Sequence, residues 1–584
     1  MEYKLLNPIN PALSTIETVL VNRGIALEDI PHYLKTTDDD INDFMLLGEK
    51  NLKRAYETLS EVLTTDGKCL VVVDSDCDGY TSSAVLINYL YDFAPSWTQE
   101  NVSFFIHAGK QHGLSDVVVP DDIALVFVPD AGSNDYEQHA ALKARGIKVI
   151  VLDHHEAEYI SEDAIIINNQ LSEYPNKDFS GVGVVWQFCR YLDSEMGYNF
   201  ADNYIDLVAL GLDADMMSLR SIETKHLINK GLEKPRVVNP FFYSMAEKNS
   251  YSLKGTLTPI GVAFYIAPYI NAMTRSGTPE EKVLLFSSML KFEAFKRVPS
   301  TKRGKKPGDE ERIVDQAVRV ITNVKNRQKK SQDVGMDALM GMIEDRNLLE
   351  NKVLLFLCNP GSVPKNIAGL VANKFMSKYQ RNTAILFRSE TEDGVVWQGS
   401  ARGYGKSDID SFKDLCEATG VVEYAQGHAA AFGLGIKDTN IAEFIRISNE
   451  MLSKDSGEAT YWVDYIYDDG DVDAHNILDI AGLSNLWGQD MPEALVAIKG
   501  LKITKQMLTL MSPDAKPTLK ITLPSGACLL KFFFSQKEYD TLVSEGYVEI
   551  NAVGTCNANE WMGSVTPQVF IKDYEIVDSD KYYF

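Results

Sequence analysis

The chain has 584 residues, 45% apolar, 10% aromatic and 24% charged, a composition that excludes a mostly disordered or fibrous protein and predicts two to four domains. A formal net charge of −25 argues against a protein that coats nucleic acid electrostatically, but not against an enzyme that spends carboxylates on metal ions. No stretch approaches the ~18 apolar residues of a membrane helix, the N-terminus MEYKLLNPIN lacks a secretory pattern, and the seven dispersed cysteines form no CxxC pair. No membrane association and a cytoplasmic location are therefore expected.

Residues 1–66 read as helical and polar, with Asp38, Asp39 and Asp40 at a solvated helix entry. From Lys68 short apolar runs alternate with helix-length segments. CLVVV (69–73) precedes a helix through 81–92, ALVFV (124–128) a helix ending at Gly146, and KVIVL (148–152) follows. This rhythm predicts a doubly wound parallel sheet over 67–295, with ligands beyond the carboxyl ends of its strands. LVALGLDADMMSL (207–219) reads as a fourth strand-like run.

STKRGKKPGDEE (300–311) reads as a linker, with Asp309, Glu310 and Glu311 in the first turn of the helix that follows. Between Lys296 and Lys330 there are twelve Lys and Arg against four acids, a basic track in an acidic chain that a solvated helix face would also explain. Ile313, Ala317, Ile321 and Val324 give the helix of the connecting segment 296–350 one buried stripe. A second α/β unit is expected over 351–455, starting at VLLFL (353–357). Residues 456–584 turn β-rich, as in the alternation of Leu519, Ile521 and Leu523 with Lys520 and Thr522, and suggest a small OB-like barrel.

The chemistry concentrates at VVVDSDCDGYTSS (71–83), a strand running into Asp74, Asp76 and Asp78. Three carboxylates within five residues repel one another unless a cation neutralises them. A calcium EF-hand loop needs Glu at its twelfth position, and here that residue is Val85 after a strand. Asp130 ends a second apolar run, Asp153, His154 and His155 a third, and Asp213 and Asp215 the fourth. A lone Asp at such a place is more often a cap, but four at one sheet edge suggest a Mn²⁺ or Mg²⁺ pair.

These elements together resemble the DHH phosphoesterase superfamily, and within it the RecJ family of single-strand-specific 5′→3′ DNA exonucleases. The resemblance extends through NRGI (22–25), SGVGVVW (180–186), ALGLDADMMSL (209–219), FYIAPYINAMTR (264–275) and GSARG (399–403). It continues in QGHAAAFG (426–433), similar to the GGHxxAAG signature of a DHHA1 domain, and in NEWMGSVTPQVFIKDYEI (559–576), similar to the end of the family's OB domain.

The resemblance implies two ions, Mn²⁺ or Mg²⁺, held by Asp76, Asp78, Asp130, His154 and Asp215, with Asp130 bridging and Asp74 supporting the first site. It implies that His155 holds the scissile phosphate or assists as an acid, and that Arg275 contacts the DNA backbone. Ser400 and Arg402 would receive the 5′ end, with His428 on the same side. It also implies a monomer acting on single-stranded DNA beside a helicase and a single-strand-binding protein, in repair, recombination or phage replication.

Three positions depart from the family pattern: Gln426 and Phe432 near His428, and Tyr269 where the family has Arg. The basic residue the family carries after its second strand has no clean match, with His107 or Lys110 as substitutes. His32, His139, His226 and His475 are expected as surface or core histidines, Cys77, Trp186 and Phe188 as packing residues, and Trp561 as either a stacking or a buried residue.

Two rivals share the superfamily. A nanoRNase or cyclic-dinucleotide phosphodiesterase is shorter and carries a His four residues before the first Asp of its DxD, where this chain has Val72; the same position disfavours an inorganic pyrophosphatase. A catalytically inactive replication scaffold would have lost ligands, and every one is retained here.

Overall fold

The computed structural model describes residues 1–109, 111–359, 361–391, 394–405, 411–453, 460–512, 516–544 and 547–577. Two compact units emerge, one of Arg23–Lys325 with Leu483–Glu493, the other of Met1–Asn22, Asn326–Gly482 and Ala494–Phe584. The expected boundary at 455/456 lies outside the described residues.

The first unit is built on a five-stranded, all-parallel sheet. Its order is Val102–Ile106, Lys68–Val73, Ile123–Pro129, Lys148–Asp153, Ile165–Asn168. The near-continuous Val, Ile and Leu of the three central strands are buried on both faces, which is what a parallel sheet covered by helices requires. Cys77–Phe93, Gly181–Met196 and Ile205–Ala214 pack against one another beside it. Trp186 and Phe188 are fully buried in that packing.

Two expectations are corrected in this unit. The run at 207–219 is not strand-like: Ile205–Ala214 is a helix buried nearly all round, and a short apolar run of that kind carries no period to tell the two apart. The segment 300–311 is not an open linker, because Arg297–Pro299 and Glu310–Arg312 pair antiparallel and close it into a hairpin. The following helix begins at Ile313, so Asp309, Glu310 and Glu311 lie outside its first turn. Glu311 is buried in the hairpin base, accepting hydrogen bonds from Gln316, Thr301 and Arg319. Burial would raise its carboxyl, but these partners hold it down to about 2.

Residues Ile313–Asp345 form one helix, about 50 Å long at 1.5 Å per residue, with Ile313, Ala317, Ile321 and Val324 buried.

The second unit has a five-stranded mixed sheet in the order Val422–His428, Ala431–Lys437, Gly394–Arg402, Thr383–Thr391, Leu354–Cys358. It also has a seven-stranded sheet ordered Tyr465–Tyr467, Leu495–Thr504, Tyr547–Trp561, Ser564–Ile576, Cys528–Phe532, Thr518–Thr522, Leu508–Met511, the OB-like part of the chain. Leu519, Ile521 and Leu523 are all buried there.

Residues 1–66 are not wholly helical. Glu2–Leu5 forms a strand parallel to Thr460–Val463, a partner so distant in sequence that no local pattern announces the pairing. Among the described residues no helix is long and apolar enough to cross a membrane.

Candidate metal centre

In a parallel sheet whose strands run second, first, third, fourth, fifth, the ligand crevice opens at the carboxyl ends of the first and third strands. Asp74 directly follows Lys68–Val73, Asp130 follows Ile123–Pro129, and His154 follows Lys148–Asp153. Sheet register alone therefore brings three chemical groups to one edge.

The turn after the first strand is tight. Asp76 caps the helix Cys77–Phe93 by accepting from the Gly79 backbone N–H at 3.1 Å. A β-carbon at position 79 would lie 2.5 Å from Asp74 Cβ, so glycine lets the loop fold back on itself. Asp78, in the helix's first turn, accepts from Ser180 Oγ at 2.9 Å and from the Val182 N–H at 3.2 Å. Asp130 has φ +67°, a left-handed backbone in which a non-glycine residue is uncommon and which concentrates at functional sites. A β-carbon on Gly181 would come 2.4 Å from Asp130 Oδ1, so helix Gly181–Met196 approaches that carboxylate by its glycine backbone.

Within this cluster Asp78 Oδ2, Asp130 Oδ1 and Asp215 Oδ2 are buried without a hydrogen-bond partner. His154 Nε2 lies 3.3 Å from Asp130 Oδ1 and 3.5 Å from Asp215 Oδ2. Ligand atoms of Asp78, His154 and Asp215 all fall within 4.8 Å of one another, as do those of Asp74, Asp76 and Asp130, and of Asp130, His154 and His155. Burial pushes the carboxyls of Asp78 up to about 6 and of Asp215 up to about 8. Burial and then the neighbouring Asp78 raise Asp130 further, and Asp76 is raised by burial and by Asp74. Burial, aided by His155, holds His154 down to about 4, so its imidazole is neutral and can act as a ligand.

Unpartnered carboxylate oxygens that repel one another around a neutral imidazole fit a divalent cation, and the oxygen-rich set suits Mn²⁺ or Mg²⁺.

Asp153 has a different use. Its Oδ1 accepts from the N–H groups of His154 (2.7 Å) and His155 (3.1 Å) and lies 2.8 Å from His155 Nδ1, while Oδ2 accepts from the Ser133 N–H at 3.0 Å. These bonds outweigh its burial and hold Asp153 well below the usual carboxylate range. The bond to Asp153 in turn raises the His155 imidazole to about 9.

Asp74 is likewise engaged, accepting from the Gly113 N–H at 3.1 Å and lying 2.7 Å from His112 Nδ1. That hydrogen bond raises the His112 imidazole above its ordinary value.

His112 is the group that sequence reasoning missed. His107 is buried with its ring against the Gly113 carbonyl at 3.0 Å, and burial lowers its pKa, so it is not the basic residue sought there. Lys110 lies outside the described residues. The polar stretch GKQHG carries no period, and only its Gly next to a His hinted at a turn presenting a side chain.

Asp215 caps the C-terminus of Ile205–Ala214, where the sequence predicts a strand end; Asp213 is buried two residues earlier, and burial raises it well above the carboxylate range. Arg275, in the last turn of Ala267–Ser276, lies within electrostatic reach of Asp76, and burial of its guanidinium lowers its pKa from the ordinary value. Cys77 is buried, and burial drives its thiol pKa far up, consistent with packing.

The remaining expected residues lie in the second unit. Arg402 and His428 both pair with Ala431, so one strand separates them at the same end of the mixed sheet, and Ser400 sits two residues back opposite Gly433. Arg402 Nη1 donates to the Ala401 carbonyl at 2.7 Å, and its other amino group lies against Gly369 at the start of helix Ala368–Tyr379. Phe432 packs edge-on against Phe412 in the core, so its departure from the family's small residue is absorbed there. Among the remaining histidines, His139 and His226 are both buried, and His226 lies 2.9 Å from Asp38.

A family model, the DHH family N-terminal domain, matches residues 68–212. The putative SPbeta prophage-derived single-strand DNA-specific exonuclease YorK of Bacillus subtilis (strain 168) is 34% identical over 99% of this chain and 98% of its own length. The single-stranded-DNA-specific exonuclease RecJ of the same organism is 24% identical over 96% of this chain and 67% of its own. The crystal structure of RecJ from Thermus thermophilus in complex with Mn²⁺ superposes with a TM-score of 0.67 at 18% identity, over 99% of this chain and 80% of that one. The same protein in complex with Mg²⁺ gives 0.63.

Proposed function

The chain belongs to the RecJ-like exonucleases of the DHH superfamily, and from that premise we propose that it hydrolyses single-stranded DNA from the 5′ end, releasing 5′ mononucleotides. The observation that carries the reading is the set of buried, unpartnered oxygens of Asp78, Asp130 and Asp215 converging on the neutral imidazole of His154.

Asp76, Asp78, Asp130, His154 and Asp215 would hold two divalent cations, Mn²⁺ or Mg²⁺, with Asp130 shared and Asp74 oriented by His112 and Gly113 to support the first. Bound there, the cations would supply Lewis-acid activation of water and neutralise charge on the phosphoryl group.

His155, protonated and fixed by Asp153, donates a hydrogen bond to a phosphoryl oxygen and can give its proton to the leaving 3′ oxygen. Arg275 supplies a fixed positive charge for the DNA backbone, and its fork of donors matches a phosphate. Ser400, Arg402 and His428 receive the 5′ end. The enzyme acts as a monomer in the cytoplasm beside a helicase and a single-strand-binding protein. Of repair, recombination and phage replication, the prophage-derived relative favours the last.

Digestion of end-labelled single strands, duplex and RNA with Mn²⁺, Mg²⁺ or chelator tests the reading. A 5′ label should appear at once as mononucleotide, only on unpaired DNA and only with metal. Early release of a 3′ label, or cleavage of closed circles, overturns it.

A further inference from the structure

The basic hairpin between Arg297–Pro299 and Glu310–Arg312 has no part in the site described above. Its rungs are Arg297 opposite Arg312, Val298 opposite Glu311 and Pro299 opposite Glu310, closed by a Ser300 N–H to Asp309 carbonyl bond of 2.8 Å. The base is locked: Gln316 donates to both the Pro299 carbonyl (3.0 Å) and Glu311 (2.9 Å), and Arg319 reaches Thr301 at 2.9 Å. The tip, 302–308, reads KRGKKPG and is exposed throughout. Gly304 and Gly308 have φ of +84° and +96°, and a β-carbon on either would meet nothing within 4 Å. A rigid base thus holds an unpacked, cationic loop in solvent.

Charge at the tip is weakly neutralised. Lys302 reaches the buried Glu311 at 3.4 Å and Lys305 reaches Asp309 at 3.9 Å, while no ion pair among the described residues involves Arg303 or Lys306. In a chain of net charge −25, like charges held together in this way are matched by a polyanion.

The place of the hairpin says what kind. Phe292 stacks on Tyr91 at 4.5 Å and Lys291 pairs with Asp92, so the chain entering the hairpin leaves the C-terminal end of helix Cys77–Phe93. Asp76 and Asp78 stand at that helix's other end, and its 17 residues span about 25 Å. At ~3.4 Å per stacked nucleotide, that is roughly seven nucleotides.

We propose that the hairpin tip Lys302–Arg303–Lys305–Lys306 grips the phosphate backbone of single-stranded DNA several nucleotides beyond the end held at the metal centre. This rests on the nuclease reading above. The contact is sequence-independent, since lysines and arginines on phosphates carry no base information.

The test compares the full chain with the R303A/K305A/K306A variant and with R303K/K305R/K306R, which keeps the charge. Every substituted residue is exposed, so both variants should melt like the unaltered chain. Affinity is measured by anisotropy, in Ca²⁺ to suppress cleavage, for a labelled strand of roughly thirty nucleotides over a salt series. The alanine variant should bind about tenfold more weakly near 0.1 M salt, with the slope of log K against log salt reduced by about two, at ~0.7 per lost phosphate contact. The charge-conserving variant should bind normally, and cleavage of oligomers of roughly four nucleotides should be unchanged in all three. Unchanged affinity and slope in the alanine variant overturn the proposal, as does an equal loss on short and long strands. So does a loss confined to an acidic peptide with DNA binding intact, which would make the tip a protein-docking site. If the binding difference appears but the unaltered chain cuts no strand with any metal, the hairpin stands and the nuclease reading falls.

Discussion

Asp153 Oδ1 lies 2.8 Å from His155 Nδ1 while also accepting the backbone N–H groups of His154 and His155. One carboxylate therefore sets the turn that aims His154 into the cluster and keeps His155 charged. Asp153→Asn should lower turnover about ten- to a hundred-fold, the usual effect of losing a group that orients a metal-site residue, while cation content stays near normal. The alkaline limb of the pH–rate profile should move to lower pH, because His155 loses the bond that raises it to about 9. An unshifted limb would show that His155 is not the titrating acid.

Asp130→Ala or Asp78→Ala should abolish cleavage without unfolding the chain. Each change removes a buried oxygen that has no partner, Asp130 Oδ1 or Asp78 Oδ2, and relieves repulsion among the carboxylates; in Asp78→Ala this offsets the lost bonds from Ser180 and the Val182 N–H to Oδ1. Several kcal/mol of transition-state stabilisation depend on metal catalysis, enough for a loss of at least ~10³-fold. Near-normal turnover in either variant, with metal content verified, would refute the two-metal assignment.

Mn²⁺ should support cleavage at least as well as Mg²⁺, because the neutral imidazole of His154 suits manganese better than magnesium. Titrating each cation into chelated protein and following initial rates checks this. Inhibition by Mn²⁺ with strict Mg²⁺ dependence would remove His154 from the ligand set.

Metal-free protein should lose stability as pH rises from about 4 through about 8. Asp78 (about 6) and Asp215 (about 8) stay protonated in the folded chain at pH values where the unfolded chain, with carboxyls near the ordinary ~3.9, has ionised. The native state then binds more protons than the unfolded state, and stability falls with pH across that window. Mn²⁺ at about 100 times its Kd should raise Tm by about 5 °C at pH 8 and by less at pH 5.5, where protons compete for the same oxygens. Calorimetry with and without chelator reads both effects, and a Mn²⁺ effect independent of pH would place the ion elsewhere.

Arg402→Ala should reduce cleavage of 5′-phosphorylated strands more than of 5′-hydroxyl strands. A charge-assisted hydrogen bond is worth ~1.5–3 kcal/mol, or roughly ten- to a hundred-fold in kcat/KM. Equal losses on the two ends would show that Arg402 does not read the terminal phosphate.

The sequence by itself determined the parallel sheet and most of the acidic cluster at its edge. Runs such as CLVVV and KVIVL have one stable home, a strand buried on both faces, and an Asp directly after such a run falls at the sheet's carboxyl edge by register. Asp74, Asp130 and His154 were legible for that reason, and Asp76 and Asp78 through the crowding of three carboxylates within five residues. What only the tertiary structure decided are contacts between segments with no local period. The 207–214 part of the fourth run became a helix because other helices surround it, not because its pattern differs from a strand's. His112 reached Asp74 across 38 residues through a polar loop that carries no signal. Asp309, Glu310 and Glu311 looked like a helix start, yet Arg319 and Gln316 draw Glu311 into a hairpin base instead. Leu483–Glu493, within the β-rich part of the sequence, joins the parallel-sheet unit, with the Leu219 N–H on the Gln489 carbonyl at 3.1 Å and Arg23 on the Pro492 carbonyl at 2.8 Å. A strand announces itself through the spacing of its own side chains, whereas a buried ion pair or a returning segment is written in two places at once, and only folding brings those places together.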